Sequence, residues 1–250
     1  MLFAVNTDIG MTRSENQDSF GYIRDMENVP EIYVVADGMG GHKSGHVASK
    51  IAVDFVIEKL SDSKLWENGK NDVFDNIMDV MKAANDYIAE LGSRKEEFEG
   101  MGTTMIITVY IENKLYIGHV GDSRLYIMNN KKISQITTDH SYVELLVKEG
   151  TISREDARNH PKKNIITRAL GIPEKIAVDT LVMDLKENDT VIICTDGLSN
   201  KLEDKEMWEI IKGSNDLDSA CRKLIDKANE RGGEDNVTVI LLKEKQLTKQ

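Results

Sequence analysis

Short apolar runs rich in Val, Ile, Tyr and Thr recur along the chain at Ile32–Ala36, Thr103–Ile111, Lys114–Val120, Arg124–Met128, Ala177–Met183, Thr190–Thr195 and Val237–Leu242. β-Branched and aromatic side chains suit a pleated, half-buried surface, so these runs predict strands. Glu112-Asn113-Lys114 and Gly121-Asp122-Ser123 read as tight connections and predict antiparallel hairpins. Helical spacing appears over about 44–60 and 72–91; in the second, Val73, Ile77, Val80, Met81, Ala84, Ile88 and Leu91 recur three and four apart. Further helices are predicted near 141–149, 204–212 and 216–230, the last two opening at Asp204 and Asp216, where acidic residues suit a helix N-terminus. Residues 141–165 are polar and weakly patterned, which predicts a surface excursion with a short helix. Such segments border active sites about as often as they are ordinary loops. Strands dominate the middle without alternating helices, so the expected fold is α+β and layered rather than doubly wound.

Composition narrows the function. The 250 residues carry 32 basic and 43 acidic side chains, a formal charge of −11, which disfavours nonspecific binding to nucleic acid or an anionic membrane. Most of the acidic excess is expected to solvate the surface, leaving some carboxylates free to act as ligands. No linker, low-complexity tract or repeat divides the chain, so one domain over 1–243 with a short tail at 244–250 is expected. Cys194 and Cys221 have no metal-type spacing, and Cys194 lies in the apolar run VIIC, as a buried thiol would. No stretch approaches the roughly 18–20 apolar residues of a membrane span, and MLFAVNTDIG lacks the features of a signal peptide. A reducing cytoplasm is the expected location.

The stretch IYVVADGMGGHKSG, followed by a helix, has the outline of a phosphate-cradling loop. It fails both fingerprints. Gly40 and Gly45 have the P-loop separation but precede His46-Val47, and Gly38 and Gly40 are followed by Lys43 where the dinucleotide motif needs its third glycine. Asp37-Gly38 instead closes one strand as Asp196-Gly197 closes another, and Asp18, Asp122 and Asp235 stand at comparable strand edges. Each alone reads as ordinary turn chemistry. Together they are the scattered hard oxygen donors from which a Mg²⁺ or Mn²⁺ pair is assembled. Zinc is disfavoured: His42 and His46 stand four apart with no thiolate or third His nearby, and His46 starts a helix. A cysteine nucleophile with an arginine six residues on is absent, as is a G-x-S-x-G elbow. Water activated between two ions remains, a chemistry that needs carboxylates and a cation for the substrate anion. Arg13 is the best such cation, with Arg124 and Arg168 as rivals; Arg124 could as well pair with a neighbouring carboxylate.

Thr7-Asp8-x-Gly10-x-x-Arg13-x-x-Asn16-Gln17-Asp18, DGMGGHKSGHVAS, Gly102-Thr103-Thr104, VGDSRLY, TTDHS, ITRALG, TDGL and EDNVTVI follow in the order seen in PPM/PP2C-type protein serine/threonine phosphatases of the bacterial branch, which the chain resembles from about residue 3 to 242. The resemblance implies a four-layer α-β-β-α sandwich with two central antiparallel sheets and a metal centre at one end. It implies two Mn²⁺ or Mg²⁺ ions: Asp37, Asp196 and Asp235 on the first, Asp37 and the Gly38 carbonyl on the second, with Asp18 nearby through water. A third ion would match Asp122 and Asp196, Arg13 would bind phosphate, and 141–165 would be the flap. The implied reaction is attack of a metal-bridged hydroxide on the phosphorus of phosphoserine or phosphothreonine in proteins, by a monomer that reverses a serine/threonine kinase. Eukaryotic relatives carry a His directly after Asp-Gly, proposed as the general acid; Met39 stands there and His42 follows three residues later, so the acid is unassigned. Gln17 replaces a metal-binding Glu. The competing expectations are a non-catalytic regulatory binding module and a phosphatase dedicated to one regulator, such as an anti-sigma antagonist.

Overall fold

A computed structural model describes residues 1–40 and 44–244. In chain order its strands are β1 (Leu2–Asp8), β2 (Asp18–Ile23), β3 (Glu31–Met39), β4 (Gly102–Thr103), β5 (Met105–Ile111), β6 (Lys114–Val120), β7 (Arg124–Met128), β8 (Ile133–Gln135), β9 (Asp179–Asp184), β10 (Thr190–Cys194) and β11 (Val237–Lys243). The α-helices are α1 (Ser44–Leu60), α2 (Val73–Arg94), α3 (Tyr142–Lys148), α4 (Arg154–Arg158), α5 (Asp196–Ser199), α6 (Asp204–Lys212) and α7 (Leu217–Glu230). Most strand and helix positions follow the hydrophobic pattern, whereas β1, β2, β8 and α5 lie outside its predicted runs, β2 being marked only by the strand edge at Asp18, and the run 103–111 divides into β4 and β5.

Every strand pair is antiparallel, in one sheet ordered β1-β11-β10-β7-β8 and a second ordered β2-β3-β5-β6-β9, with β4 beside β3. Alternation along the strands decides which layer each side chain enters. Tyr33 and Val35 of β3 meet Val191, Ile193, Ile240 and Leu242 between the sheets. Val34 and Ala36 of the same strand point the other way, onto Val53 and Val56 of α1 and Ile77, Met81, Ala84 and Ile88 of α2. On the far side Ile192, Val239 and Leu241 pack on Met207, Ile211, Leu224 and Ile225 of α6 and α7. These three apolar layers make the α-β-β-α sandwich, and strands buried on both faces explain why their runs read as nearly continuous hydrophobic sequence.

Of the two expected hairpins one forms. Ile111 pairs with Lys114 across Glu112 and Asn113, both at positive φ (47° and 64°), as a two-residue hairpin turn requires. Gly121-Asp122-Ser123 corrects the other expectation: β6 and β7 do not pair but lie in different sheets. Gly121, at φ 110°, turns the chain from one sheet to the other, and a Cβ there would meet Thr104 at 2.5 Å. Turn composition alone does not distinguish a hairpin from a crossing between layers.

The 141–165 excursion contains α3, capped by Ser141 accepting from the Glu144 N–H, and α4, whose Ser153 and Asp156 form a capping box. Its two ends are joined: the Tyr142 N–H donates to Ile165 O at 2.8 Å and the Thr167 N–H to His140 O at 2.7 Å. His140 also fastens it to the crossing loop, donating its N–H to Gly121 O at 2.8 Å and accepting the Gly121 N–H on Nδ1 at 3.0 Å.

Candidate active site

Strand ends from both sheets deliver the aspartates to one end of the sandwich. Asp18 opens β2 and lies opposite Asp37 in β3. Asp122 is carried by the crossing between sheets, Asp196 begins α5 directly after β10, and Asp235 precedes β11, the neighbour of β10. Asp37 feels the charges of Asp18, Asp196, Asp122 and Asp235. The spacing predicted that Asp37 and Asp196 end their strands. In the structure β3 runs on through Asp37 and Gly38 to Met39, because Gly38 and Met39 pair with Thr103 and Gly102. Asp196 belongs to the first turn of a helix.

The backbone of Asp37 is held from both sides. Its N–H donates to Thr104 Oγ1 at 2.9 Å, and its carbonyl accepts from the Thr104 N–H and the Thr103 hydroxyl, each at 2.9 Å. A Cβ on Gly38 would stand 2.0 Å from the Gly45 carbonyl, so only glycine allows α1 to approach β3 this closely. Buried Asn236 ties the N-terminal loop to the site: its Oδ1 accepts from the Gln17 N–H at 2.8 Å, and its Nδ2 donates to Ile9 O at 2.9 Å and Glu15 O at 3.0 Å. Thr103, Thr104 and Asn236 all lie in the quoted motifs, yet spacing alone did not mark them as the residues that set the aspartates in place.

Arg13 joins the cluster, donating from Nη2 to Asp235 Oδ2 at 3.0 Å and from Nε to Glu234 O at 3.2 Å. Its rivals are engaged in structural pairs. Arg124 grips Asp139 with both Nε and Nη2, the closest contact 2.7 Å, and Arg168 Nη1 meets Asp179 at 2.8 Å. His46 Nδ1 lies 3.1 Å from Asn16 O, a loop contact; His42 lies outside the described residues.

Crowding of like charges away from water shifts the carboxylates. Burial, partly offset by hydrogen bonds from Thr238 and Thr195, pushes Asp18 up to about 7. Burial followed by the charge of Asp235 pushes Asp196 up to about 6. Asp37 and Asp122 are raised well above the usual carboxylate range, again by burial first and by their acidic neighbours second. Asp18 Oδ1 and Asp122 Oδ1 are buried and have no hydrogen-bond partner among the described residues. Buried carboxylate oxygens left without donors are costly, and a proton or a cation relieves that cost. Among the described residues no group of three or more His, Cys, Asp or Glu side chains is placed closely enough to hold a metal ion without rearrangement. A cavity of about 450 Å³ adjoins Asp122 and Asp196, walled by Lys163 and Arg158 of the excursion and by Glu203 and Asp204 at the start of α6.

A family model described as protein phosphatase 2C matches residues 12–241. The chain belongs to the protein phosphatase 2C family. The serine/threonine phosphatase stp of Listeria monocytogenes is 39% identical over 242 residues, covering 97% of this chain and 95% of that protein. The serine/threonine phosphatase of S. agalactiae superposes with a TM-score of 0.92 at 34% identity, covering 98% of this chain and 99% of that one. The catalytic domain of the phosphatase PstP, solved in complex with two manganese ions, superposes with a TM-score of 0.83 at 30% identity, covering 96% of each chain. The 2C motifs therefore sit on the 2C fold. Among the described residues no helix is long and apolar enough to cross a membrane.

Proposed function

We propose that this protein phosphatase 2C member hydrolyses phosphoserine and phosphothreonine in proteins at the aspartate end of its sandwich, with Mn²⁺ or Mg²⁺ as cofactor. The observation that carries the reading is the convergence of five aspartates, two of them with a buried oxygen that no donor among the described residues satisfies. Hard carboxylate oxygens, with no thiolate or paired imidazole beside them among the described residues, suit Mg²⁺ or Mn²⁺, and an open site suits ions that keep several waters. In this reading Asp37, Asp196 and Asp235 hold one ion, Asp37 and the Gly38 carbonyl hold a second with Asp18 beside it, and Asp122 with Asp196 offers a third position. The ions would lower the pKa of a water and neutralise charge on the phosphoryl group.

The chain's own residues do the rest. Arg13 spends two of its guanidinium N–H groups on Asp235 and Glu234, leaving others for phosphate oxygens. Its tie to Asp235 keeps that phosphate contact in register with the carboxylates. Thr103 and Thr104 fix Asp37 through its backbone, so its carboxylate need not reorganise during the reaction. Residues 1–243 act as one catalytic unit with 141–165 as its flap, in a cytoplasmic monomer opposing a serine/threonine kinase.

The test is hydrolysis of p-nitrophenyl phosphate and a phosphothreonine peptide with Mn²⁺, Mg²⁺ or chelator. Activity should depend on metal, and Asp37→Asn or Asp196→Asn should lower turnover by about 10²-fold or more while circular dichroism stays native, as loss of a preorganised charged group does. A folded Asp37→Asn enzyme with near wild-type turnover would refute the assignment. Absence of metal-dependent turnover in the wild type would favour a binding module.

A further inference from the structure

Two threonines inside the quoted motifs hold one oxygen of Asp18, and a third holds one of them. Thr195, at the junction of β10 and α5, and Thr238, in β11, are fully buried. Both hydroxyls donate to Asp18 Oδ2, at 2.8 and 2.7 Å. The direction of these bonds is settled by their neighbours. Thr195 Oγ1 accepts the Thr238 N–H at 2.9 Å, which leaves its one proton for Asp18. Thr238 has likewise spent its proton, so at 2.7 Å the Thr7 hydroxyl must donate to Thr238 Oγ1. Thr7 in turn accepts from Asn16 Nδ2 at 2.9 Å, and Asn16 Oδ1 accepts the Asp18 N–H at 3.1 Å, closing a ring.

The ring bridges the sandwich, because Asp18 begins a strand of one sheet while Thr7 and Thr238 belong to the other. It treats the two oxygens of the carboxylate differently. Oδ2 receives two donors; Oδ1 is buried and receives none among the described residues. Threonines that served only to solvate a buried carboxylate would leave neither oxygen bare, since an unsatisfied buried acceptor is costly. A clamp on one oxygen that presents the other is how hydrogen-bonded side chains orient a metal ligand from behind.

We propose that Thr195 and Thr238 are positioning residues, which lock Asp18 through Oδ2 so that Oδ1 alone is offered to the coordination shell of a divalent ion. This rests on the metal-binding reading above. Thr7 extends the clamp by holding the Thr238 hydroxyl in its donating orientation.

The test is Mn²⁺ affinity by isothermal titration calorimetry on the full chain. Thr195→Val and Thr238→Val keep the side-chain shape and delete the donor; Thr195→Ser and Thr238→Ser keep the donor and delete a methyl. Each valine variant should weaken the ion that Asp18 serves by about 10–100-fold, the usual cost of losing a group that orients a metal ligand. The serine variants should stay near wild type, an outcome that a purely packing role would not produce. Thr195→Ala and Thr238→Ala, which make no steric demand, replace any valine variant that fails to show a native circular dichroism spectrum. Folded valine or alanine variants with wild-type Mn²⁺ affinity would overturn the clamp and leave the metal reading standing. Serine variants as weak as valine would overturn the role of the hydroxyls. A wild-type chain that binds no Mn²⁺ would overturn both readings.

Discussion

Asn236 shows how much one buried amide can carry. It joins the 9–17 segment to the loop bearing Asp235 through three hydrogen bonds, and every partner is a backbone group that Asn236→Ala would strip of its bond. Each unsatisfied buried group costs about 1–3 kcal/mol, partly recovered where water enters. Asn236→Ala is expected to lose about 2–4 kcal/mol in urea unfolding, and to weaken phosphate-ester hydrolysis because Arg13 lies in the tethered segment and Asp18 directly follows it. The five aspartates stood out because acid at strand edges is a local pattern, whereas Arg13 was singled out only as a cation candidate and by the family resemblance. Asn236 and Thr104 were not legible, because their partners lie 219 and 67 residues away in sequence.

Elements were read most faithfully where burial imposes a period. The spacing over 72–91 predicts α2, found as Val73–Arg94, since its apolar stripe must face the sheet. The excursion follows another logic: α4 is a short helix with no buried residue, so its capping box rather than a core holds its shape. Ser153→Ala is therefore expected to raise amide exchange in residues 150–165 by the equivalent of about 1 kcal/mol of local opening, with little change in the midpoint of global unfolding. Loss of protection spreading through β6 and β7 in step with the excursion would contradict this, although His140 ties the excursion to Gly121. The expected 121–123 hairpin failed at this scale because turn residues specify a reversal of direction but not the sheet in which the next strand pairs.

Over the whole molecule the aspartate cluster makes stability depend on pH and metal. A carboxyl whose pKa is raised on folding binds its proton more tightly in the native state, so its contribution is full below the unfolded value near 3.8 and is lost as pH rises through the folded value. For Asp18 that folded value is about 7 and for Asp196 about 6, and Asp37 and Asp122 act in the same direction. His119, pushed down to about 3 by burial, works the opposite way but finishes above the ordinary histidine value of about 6.5. Between pH 7 and pH 8.5 in chelator the aspartates act together with the buried thiols of Cys194 and Cys221, which burial pushes up to about 12, so thermal unfolding should occur at lower temperature at pH 8.5, and the aspartates' share is the part that Mn²⁺ reverses. Added Mn²⁺ should reverse that trend, because the deprotonated sites bind it and binding stabilises the native state. A chelated protein equally stable at both values would remove the electrostatic basis of the site.

By itself the sequence determined a layered α+β fold, the main helices and most strands, and the set of acidic side chains with metal-site character, because hydrophobic period and turn chemistry are properties of neighbouring residues; the four-layer sandwich followed from the family resemblance. Only the tertiary structure decided which sheet each strand entered, that Arg124 and Arg168 pair with Asp139 and Asp179 while Arg13 meets Asp235, and that two threonines close on one oxygen of Asp18. Those outcomes depend on contacts between residues distant in sequence, whose pairing is set when two sheets and their helices bury one another's faces.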